Sequence, residues 1–263
     1  NQQHSDRSEI SIAADFVAML EDKGIKSTAF ITGKSFEEEW EDLAPLCQAT
    51  LMELGGHTYS CFEPSLWHRG WNKLIGSYNG PRWYQNWDIA KTKKIIERKT
   101  GRKINCWRNH MYMHGPFTEE LLVKNGINIC CDGVKRYGPV VNPHPTGLTN
   151  FSINIIPDHE HLYHAERTVE WVEHWVRRYN WSDDYGSESY YIDEWLEIVK
   201  REITLRESAG VVSHLIIHPI TLYLCKGFEA LEELSDFIRA YETCTVSDYV
   251  SNHGEANILS AAV

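Results

Sequence analysis

Short β-rich runs alternate with helical patterns along nearly the whole chain, and this alternation constrains the fold more than any other feature. Residues 25–32, 104–107, 127–131 and 211–217 read as buried strands, and residues 147–156 continue the series. Residues 10–23, 86–100, 116–125, 167–179, 190–207 and 227–242 carry apolar side chains close to helical spacing. A further helix over residues 36–54 is interrupted at Pro45, and residues 245–250 form a short closing strand. Such an order predicts a parallel α/β architecture with right-handed crossovers. With no linker or repeat in view, residues 1–263 read as one domain with a core over about 10–250.

Ligands bind beyond the C-terminal ends of strands in such folds, so polar residues just after strands are the first candidates. The central stretch is Gly55-Gly56-His57-Thr58-Tyr59-Ser60-Cys61. Two glycines allow a sharp turn, and a histidine and a thiol follow four residues apart. On one turn or a tight loop, both can aim at one transition metal. A hydrolytic zinc takes three protein ligands and leaves a position open, so a third must come from elsewhere. A loop histidine beside a core cysteine is the structural alternative.

Composition removes several function classes. The net charge is -11, without a dense Lys/Arg block, which argues against a nucleic-acid partner. No apolar run approaches the roughly 20 residues of a membrane span. Seven cysteines in no paired framework suggest a reduced, cytoplasmic setting. Ten Trp and thirteen Tyr exceed what a plain scaffold needs, and Trp67, Trp71, Tyr78, Trp83, Tyr84 and Trp87 crowd residues 61–87. That segment reads as a long aromatic loop, either a groove wall for sugar rings or a cover for the core. No Gly-x-Ser-x-Gly elbow or phosphate loop appears, so serine-hydrolase and nucleotide readings are poor.

Three stretches together resemble the NodB-type polysaccharide deacetylases, carbohydrate esterase family four. His57-Thr58-Tyr59-Ser60-Cys61 is similar to the family's His-Ser/Thr-x-x-His metal motif, with Cys in place of the second His. Trp107-Arg108-Asn109-His110-Met111-Tyr112 stands where the family has Arg-Pro-Pro-Tyr, and Ile216-Ile217-His218-Pro219 resembles the late Leu-x-His-Pro motif. The resemblance implies a deformed (β/α) barrel of about seven parallel strands, a divalent metal such as zinc, and hydrolysis of N-acetyl groups on an amino-sugar polymer. It also implies His57, Cys61 and Asp6 as metal ligands. Asp6 enters because it lies before the first helix, where the family carries a Phe-Asp-Asp stretch that nothing here matches. Either the first strand lies upstream of Asn1 or this chain lacks it.

Amide hydrolysis needs an activated water, a stabilised oxyanion and an acid for the leaving amine. His218 suits the acid, since its ordinary pKa lies near neutrality. Arg108 would orient a carboxylate or hold substrate. Asp158 stands in a dense run with His159, Glu160, His161 and His164, and would supply the missing base; the run otherwise reads as an exposed polar loop. His110 and Tyr112, with Trp67 and Trp83, are the substrate-binding candidates, and His110 and His114 are spare replacements for the absent second histidine. The substrate is thus a carbohydrate or a small amide, and the oligomeric state stays open. Two other functions fit the same residues: a cyclic amide or imide hydrolase, and a carbohydrate-binding pseudoenzyme.

Overall fold

The computed structural model describes residues 5, 7–162, 167–179 and 182–253. The chain forms two compact units from discontinuous segments. A helical unit takes the chain up to Lys26, Gly133–Val140 and Ser152–Thr243. A sheet unit takes Ser27–Asp132, Val141–Phe151 and the chain from Cys244.

Among the described residues the sheet unit holds six strands: β1 (Ser27–Ile31), β2 (Met52–Gly56), β3 (Cys106–Trp107), β4 (Ile129–Cys130), β5 (Val141–Pro143) and β6 (Thr149–Phe151). Their spatial order is β1-β2-β3-β4-β6-β5. All pairings are parallel except β5 with β6, so the sheet is open and mostly parallel, in the α/β class expected from the sequence.

The two glycines of the central stretch do not turn the chain. They sit inside β2, where Phe30 pairs with Gly55 and Gly56 pairs with Trp107. A Cβ on Gly55 would stand 2.6 Å from the Phe30 ring, and one on Gly56 would stand 2.3 Å from the Trp107 ring. Glycine is required there because fully buried Trp107 lies against the strand backbone.

The helix expected over 36–54 stops earlier. Two short helices, Gly33–Glu38 and Trp40–Cys47, precede β2, because the continuous burial of Met52, Leu54, Gly55 and Gly56 suits a central strand. The aromatic loop expected over 61–87 is largely helical. Helices Ser65–Ile75 and Arg82–Thr100 are each preceded by a proline, Pro64 and Pro81, and end on left-handed Gly76 and Gly101. The closing strand expected over 245–250 is the helix Val246–His253, whose first turn Thr245 caps by accepting from the Asp248 N–H at 3.1 Å.

In the helical unit, helix Glu9–Asp22 is capped by Ser8 and buries Ile12, Phe16, Val17 and Leu20. Each buried aliphatic or aromatic side chain contributes about 1.5–3 kcal/mol. Helix Ile192–Ser208 buries Trp195, Leu196, Val199 and Ile203. Residues 211–217, expected as a strand, join no sheet among the described residues. They run extended beside Asn154, whose Oδ1 accepts from the His214 N–H at 2.8 Å and whose N–H reaches the His214 carbonyl at 3.1 Å. The Asn154 side chain and backbone together thus partner this segment in place of a regular ladder. Among the described residues no helix is long and apolar enough to cross a membrane.

Candidate metal centre and acid–base pair

His57 is the first residue past β2, and Arg108 the first past β3. The ladder carries one step further, since the His57 N–H reaches the Ile31 carbonyl and the Arg108 N–H reaches the Gly56 carbonyl. The Arg108 carbonyl then accepts from His57 Nδ1 at 2.9 Å. A carbonyl can only accept, so Nδ1 carries the proton and Nε2 offers its lone pair. A backbone acceptor on the remote nitrogen is the arrangement that orients a metal-ligating histidine.

His57, Cys61 and His110 each present one ligand atom, and these atoms lie within 4.8 Å of one another. His57 Nε2 and His110 Nδ1 are 3.3 Å apart. All three residues are half-buried. His110 therefore stands where the third ligand was sought, rather than among substrate contacts alone. A soft thiolate with two imidazoles suits zinc.

The backbone around this trio is strained. Thr58, Cys61 and Phe62 have φ of 59°, 52° and 64°, and Met111 and Tyr112 have 55° and 54°. A β-branched residue such as Thr58 is rarely found there. Each such residue costs on the order of 1–3 kcal/mol and persists only where its surroundings enforce it. Here Asp88 does so, its Oδ2 accepting from the Tyr59 N–H at 2.9 Å, and the Thr58 hydroxyl accepts from the Cys61 N–H at 3.2 Å. Burial pushes the Asp88 carboxyl up to about 7, against the pull of the Tyr59 N–H and Lys91. No motif marks Asp88; its only sequence signal is an acidic residue on the apolar face of a helix.

Arg108 is buried, with its guanidinium 4.7 Å from the Phe30 ring centre. Tyr112 is buried as well. Trp67 and Trp83 both pack on Tyr84, with ring centres 4.2 and 5.8 Å away. Together with Pro64 and Trp87 they line a groove of about 430 Å³. It continues into a second groove edged by Tyr59 and Ser60, the residues between Thr58 and Cys61. Trp83 is 68% exposed, so its ring face is open to a ligand. Asp6 lies outside the described residues, as does His164.

In the helical unit, the run expected as an exposed polar loop is a helical turn, Asp158–His161, in which Asp158, Glu160 and His161 are buried and His159 is exposed. Asp158 is fully buried, and its two oxygens accept from the His218 N–H at 2.7 Å and from His218 Nδ1 at 2.8 Å. This bidentate hold explains the burial, since an unpaired buried carboxylate would be costly. Burial works to lower the His218 pKa, but the Asp158 charge and hydrogen bond, helped by Glu160 and Glu9, lift it to about 9. His218 also caps helix Pro219–Lys226, where Pro219 occupies the first position. Glu160 is buried too, and burial raises its carboxyl. Asp158 is thus the hydrogen-bond partner of His218, a pairing between residues 60 positions apart in the sequence.

Three half-buried side chains that could ligate one metal thus lie past the ends of β2 and β3 in a mostly parallel sheet. The family model described as polysaccharide deacetylase matches residues 6–122. A structure assigned as a polysaccharide deacetylase from Mycobacterium smegmatis superposes with a TM-score of 0.64 at 14% identity, covering 94% of this chain and 78% of the other. Puue allantoinase gives 0.58 at 15% identity, covering 92% and 73%. A CE4 family pseudoenzyme from Bacillus anthracis gives 0.54 at 13% identity, covering 93% of this chain and 62% of its own. No curated protein sequence matches the chain. The chain thus resembles the polysaccharide deacetylases as its motifs predict, in sequence over residues 6–122 and in fold.

Proposed function

We propose that this chain is a metal-dependent hydrolase of non-peptide C–N bonds that removes N-acetyl groups from an amino-sugar polymer. The observation that carries the reading is the convergence of His57, Cys61 and His110. Three protein ligands leave a coordination position open, which is the hydrolytic rather than the structural pattern. Zinc is the ion this donor set favours, because thiolate and imidazole are its ordinary ligands. When bound, such an ion polarises a carbonyl and makes a coordinated water more acidic.

The remaining roles rest on this chain's own side chains. The Arg108 carbonyl keeps the His57 ring turned so that Nε2 stays available. Asp158 holds His218 Nδ1, leaving Nε2 as the atom that gives a proton to a leaving amine. The Trp67–Trp83–Tyr84–Trp87 surface offers aromatic faces to pyranose rings beside the ligand-bearing loop. The Cys61 thiolate makes the ion a weaker Lewis acid than a second imidazole would.

The test is acetate release from N-acetylated amino-sugar oligomers by zinc-loaded protein, abolished by chelation and restored by zinc. Ring opening of a cyclic ureide or imide without acetate release would favour the cyclic-amide reading, for which the likeness to an allantoinase fold speaks. Zinc and sugar binding without turnover of either substrate would leave a pseudoenzyme.

A further inference from the structure

The sheet unit contains a second cluster, outside the trio, around Asp132. This carboxylate is buried just past β4. Its Oδ1 accepts from the Asn109 N–H at 2.8 Å. Its Oδ2 receives three donors: Asn109 Nδ2 at 2.6 Å, His114 Nδ1 at 2.8 Å and Cys130 Sγ at 3.1 Å. A carboxylate oxygen has two lone pairs, so Oδ2 is over-subscribed by one. The weakest donor, a thiol, adds almost nothing there as a hydrogen bond. Two of the three donors, His114 Nδ1 and Cys130 Sγ, therefore meet at one oxygen, and with it they make a group of three potential ligand atoms within 4.8 Å of one another. Cys130 Sγ and His114 Nδ1 are 4.0 Å apart.

We infer that His114, Cys130 and Asp132 form a second metal site, for a divalent ion of zinc type, independent of the His57–Cys61–His110 trio. A single dication replaces the two hydrogens. Oδ2 then keeps one bond to the ion and one to the Asn109 amide, which matches its lone pairs. The donor set of thiolate, imidazole and carboxylate is one that zinc accepts. The outer partner is also in place: His114 Nε2 lies 3.0 Å from Glu119 Oε1, so the ring binds through Nδ1 while a carboxylate holds its other N–H. Ligand atoms around a tetrahedral zinc lie roughly 3.3–3.8 Å apart, so the two oxygen edges widen by some tenths of an ångström on loading. Binding displaces one proton from the thiol and one from His114 Nδ1 to solvent. The ion ties the end of β4 to the segment that follows β3.

The test is zinc stoichiometry on metal-stripped protein, read against a chromophoric chelator and repeated with cobalt, whose bond to thiolate gives a charge-transfer band. Wild type is expected to take two equivalents per chain. His114→Gln, at an exposed position, and Cys130→Ser should each take one and lose part of the cobalt–thiolate band. Cys61→Ser should also take one, by losing the other site. Loss of an equivalent in His114→Gln and Cys130→Ser, but not in Cys61→Ser, would uphold this site while removing the trio. Undiminished zinc and cobalt binding in both His114→Gln and Cys130→Ser would overturn it, as would a single wild-type equivalent that Cys61→Ser abolishes.

Discussion

Two clusters in the sheet unit each bring a thiol close to an imidazole, and they differ in how their backbone and protons are arranged. Around His57, Cys61 and His110, five non-glycine residues adopt left-handed φ, and the ligands are half-buried. Around Asp132, hydrogen bonds converge from four groups, and both Cys130 and Asp132 are buried. The first arrangement holds ligands in place by enforced strain and leaves them reachable, as a reacting centre requires. The second sets a buried thiol and a buried carboxylate behind an exposed imidazole and is held by its own polar partners. Distance along the chain does not separate the two, since Asn109 and His110 are neighbours serving different clusters.

Activity variants should separate the clusters most sharply. Cys61→Ala should lose metal from the trio and hydrolysis together, while Cys61→His should retain metal because imidazole also binds zinc. Full activity in Cys61→Ala, with an unfolded Cys61→His, would make the thiol a packing group. His218→Asn should lower kcat by about 10²–10⁴ with the melting temperature nearly unchanged. With His218 raised to about 9, its donor form persists through neutrality, so wild-type turnover should fall only as pH rises through about 9. An alkaline limb near 6.5 would remove Asp158 from the orienting role.

Packing variants come next. Gly56→Ala places a Cβ 2.3 Å from the buried Trp107 ring, and a loss of about 2–3 kcal/mol is expected in denaturant titration. A neutral result would mean that β2 and β3 approach less closely. Asp88 gives a smaller, pH-dependent effect. Its carboxyl rises from 3.8 in the unfolded chain to about 7 in the fold, so the folded state favours the protonated form. That contribution is complete below about 4 and declines as pH rises through about 7. Asp88→Asn keeps an acceptor for the Tyr59 N–H, so it should melt higher than wild type at pH 8 and equal to it at pH 4. The gain should be on the order of 1–3 kcal/mol. Equal melting at both pH values would contradict the raised carboxyl.

The smallest effect belongs to the aromatic surface. Trp83→Ala should raise KM for oligomeric substrate several-fold and leave kcat and stability close to wild type, because the ring is largely exposed.

The sequence made some of this legible and hid the rest for identifiable reasons. His57 and Cys61 are four residues apart, so a local motif displays them. His110 is 53 residues from His57, and the pairing of β2 with β3 brings them together; the sequence offers it as a substrate contact and a spare ligand, not as the partner of His57. Asp158 was named, yet its burial was not foreseen, because its partner His218 arrives from a distant segment. The run 211–217 has the composition of a buried strand but meets the Asn154 side chain and backbone instead of a regular ladder. The first turn of helix Arg82–Thr100 holds Trp83 and Tyr84, residues that equally suit loops or cores, so the sequence pattern places its start late, at residue 86. Asp132 lies two residues past β4, near the strand end where ligands bind in α/β folds, but no motif surrounds it.

The central claim is that His57, Cys61 and His110 jointly hold a divalent metal. X-ray absorption on Cys130→Ser protein loaded with one zinc tests it most directly, since that variant removes the second cluster from the spectrum. The account predicts one sulfur at about 2.3 Å and two imidazole nitrogens at about 2.0–2.1 Å, with the sulfur shell lost in Cys61→Ser. A zinc shell without sulfur, or with a single imidazole, would contradict it.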